Sequence, residues 1–124
     1  MKERRGQNSL GLTLIALAFA SACAPQVTVT PLGDQRIYPP TADGVPIPLY
    51  ATTTPECAYD EIAAITAEGD DEAAVLSALI ARARAVGAHA ILGYTQSTRM
   101  VSESSNAYVR GGTAIRYRST DCMK

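Results

Sequence analysis

The sequence predicts an α+β domain: a small, mostly antiparallel sheet in ββαββ order with one amphipathic helix packed on one face. Three observations carry that expectation. A helical apolar stripe runs from Val75 to Val86, β-prone runs stand on both sides of it, and all seven prolines lie between Pro25 and Pro55. A chain of 124 residues has room for one such domain, which excludes a large or multidomain enzyme.

The elements follow in order. Residues 45–51 alternate proline with large apolar side chains and predict an edge strand, because proline cannot donate to a ladder on both sides. Residues 59–66 predict the second strand, closed by Glu68, Gly69 and Asp70. The helix comes next. Asp70, Asp71 and Glu72 place acidic charge at its start, where the dipole favours it, and Gly87 stands as its C-cap. Val75, Leu76, Leu79, Ile80, Ala83 and Val86 recur at three- and four-residue steps, so one face needs a cover. Arg82 and Arg84 read as solvated residues beside that stripe. Residues 87–95 leave the helix directly into a third strand, 97–106 make a turn or long hairpin, and 108–118 form the last strand, with Gly111 and Gly112 suggesting a bulge or bend.

The N-terminus speaks about destination. Residues 1–22 combine a basic head (Lys2, Arg4, Arg5), an apolar run of about 11 residues and the small residues Ala20, Ser21 and Ala22, the plan of a secretory signal peptide. The run is well short of the roughly 20 residues needed to cross a bilayer. Ala20-Ser21-Ala22-Cys23 resembles the lipobox of bacterial lipoproteins, which implies cleavage before Cys23 and lipidation of that residue. In that resemblance Ala24, where Asp would signal inner-membrane retention, points to the outer membrane, facing the periplasm. Residues 23–43 then read as the lipidated cysteine and a proline-rich tether, with docking along the domain as the other reading, and residues 44–124 as the periplasmic domain. Three cysteines in an exported chain leave one unpaired, which lipidation of Cys23 explains. Cys57 and Cys122 are then the candidate disulfide, enclosing nearly the whole folded part and worth roughly 4 kcal/mol in the chain-entropy model.

Catalytic chemistry has little material. His89 is the one histidine, without partners at ligand spacing, and reads as a packing or strand-capping residue. Two thiolates and one imidazole fall short of a closed tetrahedral metal site, so neither a metal nor another cofactor is expected. Asp60 and Glu61 point to opposite faces of a strand, and Ser102, Ser104 and Ser105 lack a base or a nucleophile-elbow pattern, so no catalytic residue is nominated. Eleven Lys and Arg against twelve Asp and Glu argue against a nucleic-acid partner. Loss of residues 1–22 would leave 8 basic against 11 acidic residues, so the lipid rather than surface charge would hold the protein to its membrane. Arg99, Arg110, Arg116 and Arg118 could gather on the final hairpin, and with Tyr94 and Tyr108 they make the candidate surface for an envelope protein partner.

Residues 59–65, the helix, Gly87-Ala88-His89-Ala90-Ile91 and Gly112-Thr113-Ala114-Ile115 together resemble the Rcs stress-sensor outer-membrane lipoprotein (RcsF) family and, more loosely, YbjQ-like domains, over residues 45–122. The first resemblance implies a lipidated Cys23, a proline-rich tether, no catalytic residue and a role in envelope stress sensing or envelope protein binding. It implies two disulfides, whereas this chain has cysteines for one besides Cys23. The second implies a metal- or small-ligand-binding module as the alternative.

Overall fold

A computed structural model describes residues 24–34 and 36–123; the signal segment 1–22 and Cys23 lie outside the described residues. The elements are β1 (Gln26–Pro31), β2 (Leu49–Tyr50), β3 (Tyr59–Gly69), α1 (Glu72–Ala85), β4 (Ala90–Ser102) and β5 (Ser105–Tyr117), followed by a 3-10 turn at Thr120–Met123. They form one five-stranded sheet in the order β1-β3-β5-β4-β2. Every pairing is antiparallel except the short parallel contact of β2 with β4, and α1 packs on one face. The predicted α+β class is the observed one.

The structure differs from the sequence expectation in the tether's start, the role of Arg84 and the length of the edge strand. Residues 26–31, expected within the tether, form β1, which pairs with β3 from Gln26↔Glu68 to Pro31↔Ala63. Val27 and Val29 alternate with Gln26, Thr28 and Thr30, so one face of this strand packs against the helix-side core while the other stays exposed. Folded structure therefore begins by Gln26, not residue 44. The stretch that follows also docks in part. Thr41 donates its amide to Arg84 O at 2.9 Å and its hydroxyl to Ala88 O at 2.6 Å, while the Arg84 guanidinium reaches Ala42 O at 2.6 Å and Val45 O at 2.9 Å. Arg84 is thus a clasp for the 41–45 segment, not the solvated residue expected. Ile47 is buried beside it, and of the predicted edge strand only Leu49–Tyr50 pairs.

α1 starts where its sequence says. The Asp71 carboxylate accepts the amides of Ala73 at 3.1 Å and Ala74 at 3.4 Å, satisfying donors that have no partner within the helix. It ends at Ala85 with Val86, not the expected Gly87, as its C-cap; Gly87 follows one residue on, where its φ of 86° favours glycine and its missing side chain admits the backbone of Pro39. Val75, Leu79 and Ala83, four residues apart, are fully buried against Ala63, Ile65, Ala67, Ile91 and Ala114. The alanines on both surfaces let the helix lie close to the sheet. A smaller cluster of Ala90, Leu92 and Ile115, flanked by Tyr50, Tyr59 and Tyr117, occupies the opposite face.

The β4–β5 hairpin bends at the glycine pair. Leu92 opposes Thr113 and Thr95 opposes Gly111, so Gly93 and Tyr94 together face Gly112. Gly93 has φ 60°, the left-handed residue of such a bulge. The extra residue puts Tyr94 on the helix-side core. Beyond it the hairpin continues to a two-residue turn at Glu103 and Ser104. Strands and helix consequently share two poles. One carries Ala24, the β3–α1 turn and the hairpin tip; the other gathers the exit of β1, the entry of β3 and the ends of α1 and β5.

Candidate functional site

Antiparallel pairing of β3 with β5 sets Tyr59 opposite Tyr117, and this register brings the chain just before β3 beside the chain just after β5. Cys57 and Cys122 join there, with Cα atoms 6.2 Å apart and a 2.05 Å S–S bond. The metal reading needed both sulfurs as thiolates; here they are bonded to each other. Among the described residues, no three His, Cys, Asp or Glu side chains group as metal ligands.

His89 lies beside this disulfide-closed pole. Its amide donates to Ile115 O at 2.8 Å, and its Nδ1 accepts the Tyr117 amide at 3.0 Å, with the two rings stacked 5.7 Å apart. The imidazole therefore caps the end of β5 in its neutral form. Burial first, and then the Arg116 charge, hold its pKa below the usual histidine value. Burial and the neighbouring Tyr50 hydroxyl push the Tyr117 phenol up. Tyr50, His89, Tyr117 and Cys122 line a crevice of about 140 Å³. A wider, polar cleft of about 540 Å³ adjoins the same pole, bordered by Gly33, Tyr38, Tyr59, Asp60 and Arg118.

The residues expected to form one basic surface are dispersed and engaged. Arg110 is buried, 4% exposed, and its guanidinium meets Glu72 at 2.6 Å and the carbonyls of Val109 and Ser97 at 3.0 and 3.3 Å. It is therefore not the exposed residue the sequence suggested: even-numbered positions of β5 face α1, and the first turn of the helix supplies the carboxylate. Arg116 donates to Gly87 O at 2.8 Å and lies 4.9 Å over the Tyr38 ring, so it faces the helix end. Arg118 lies past the end of β5 and pairs with Asp60 at 3.0 Å; Arg99 pairs with Glu68. Tyr94 and Tyr108 are half-buried against the helix-side core. Sequence reasoning missed Glu72, Gly87 and Asp60 as partners because each lies outside β5, 38, 29 and 58 residues from Arg110, Arg116 and Arg118 respectively. Cys23, the lipidation candidate, lies outside the described residues. No described helix is long and apolar enough to cross a membrane.

No protein-family model matches the chain. No curated protein matches it either. Among solved structures, a crystal structure of the Francisella virulence factor FvfA in an orthorhombic form is similar, with a TM-score of 0.53 and 18% identity over 73% of this chain and 97% of that one. At that identity the likeness concerns the fold.

Proposed function

We propose that this chain is a lipid-anchored protein of the bacterial outer membrane, facing the periplasm, whose disulfide-bonded domain binds an envelope protein and takes part in stress surveillance rather than catalysis. The disulfide carries the reading. It accounts for two of three cysteines and leaves Cys23, directly behind a signal-like segment, as the odd thiol that lipidation explains. A disulfide of this kind persists in oxidising compartments. Occurrence of the fold in a virulence factor is compatible with a place at the envelope. The disulfide-closed pole, with its aromatic side chains and two crevices, is the surface offered to the partner.

Intact mass of the protein extracted from membranes, with and without reduction and alkylation, tests the anchor. Loss of residues 1–22 with added acyl mass, and two cysteines alkylated only after reduction, is expected; an unacylated product with free thiols would sink the reading. Photo-cross-linkers at Tyr59 and Arg118 test the partner, and the absence of any envelope protein captured from either position would remove the interaction role.

A further inference from the structure

Because β1 begins at Gln26, a lipid on Cys23 has no tether to extend, and the pole beside Ala24 must lie near the bilayer. Pro25 already packs on the end of β3: a side chain on Gly69 would meet it at 3.4 Å. Ala24 shares a cleft of about 510 Å³ with Val101 and Ser105 of the β4–β5 hairpin. At this tip Met100 and Val101 are 74% and 60% exposed, two of the four large apolar side chains left open among the described residues. Ile37, the most exposed, is at the far pole, near Val86 and the end of β1.

We propose that the β4–β5 hairpin tip is a second membrane contact, seating Met100 and Val101 in the headgroup layer beside the acyl chains of Cys23 and fixing which pole faces the periplasm. The inference rests on the lipid-anchor reading. Its occupant is a lipid surface of zwitterionic character. Asp70 lines the cleft beside Val101, Asp71 and Glu103 are exposed at the same pole, and the cations described there, Arg99 and Arg110, are paired with Glu68 and Glu72, so anionic headgroups are repelled. Apolar side chains at such a depth add buried area to an anchor that already holds, so they set orientation rather than attachment.

The test uses the full lipidated protein in phosphatidylcholine vesicles, with a solvatochromic amino acid placed at Met100 and, in a second sample, at Ile37. Blue-shifted emission and at least threefold weaker iodide quenching at position 100 than at position 37 are expected, with the difference shrinking as phosphatidylglycerol is added. Vesicle-bound protein of correct acyl mass whose two positions are quenched alike overturns this inference and leaves the anchor standing. Protein without acyl mass that fails to float with vesicles overturns both. Protection of position 100 that needs no vesicles and rises with protein concentration in the Cys23→Ser form assigns the tip to a second copy, and also overturns it.

Discussion

Single residues set the tolerance of this fold. His89 must stay neutral for Nδ1 to accept the Tyr117 amide, and its folded pKa lies below the unfolded value near 6.5. In the acidic range the unfolded chain then binds more protons than the folded one, so stability falls as pH drops below about 6.5 and levels off beneath the folded pKa. Urea denaturation between pH 7.5 and 5 should show this loss, and His89→Asn, whose side-chain oxygen can accept the same amide, should flatten it in that window. Gly112 is constrained by sterics alone. A Cβ there would meet Leu92 O at 2.8 Å and run into Ile91 Cγ2. Gly112→Ala is expected to cost about 1–3 kcal/mol in the same assay, as overpacking typically does. The glycine pair was legible as a bend, whereas the position of the bulge was not: it depends on which residues of β4 stand opposite.

The elements divide by how local their cause is. α1 was legible from end to end because its cap, its stripe and its terminating glycine are written within 17 residues, from Asp71 to Gly87. Asp71→Ala should therefore remove about 1 kcal/mol, measured by denaturation, by leaving the amides of Ala73 and Ala74 without their carboxylate. β3 and β5 were legible for the same reason. β1 was hidden by its surroundings: prolines at 25 and 31 gave the segment a linker's composition, although Val27-Thr28-Val29-Thr30 carries a strand's alternation. Whether such a run pairs depends on a free edge, here that of β3, which no local window contains. The expected exposure of Arg110 failed in the same way, since its charge is answered by Glu72 on a different element.

At the scale of the whole molecule, the 65-residue separation of Cys57 and Cys122 makes their bond a constraint on almost everything after β2. Replacing both cysteines by serine should lower stability by about 2–4 kcal/mol, read as a reduced urea midpoint relative to the oxidised protein, with reduction of the native chain giving a loss of the same size. The Cys57–Cys122 pairing could be anticipated from cysteine counting; the number of strands could not, and the closed pole it creates is a product of β3–β5 register.

The placement of β1 also gives the domain a mechanical axis. If load arrives through the N-terminus, it pulls along β1, while the hydrogen bonds that hold β1 to β3 lie across the direction of pull. The rungs from Gln26 to Pro31 then share the force in shear instead of opening one at a time, and the stapled chain beyond Cys57 limits how far extension can run once β1 has let go. In single-molecule pulling between residue 24 and the C-terminus, the oxidised protein should give one short extension bounded by the disulfide, and the reduced protein a longer one.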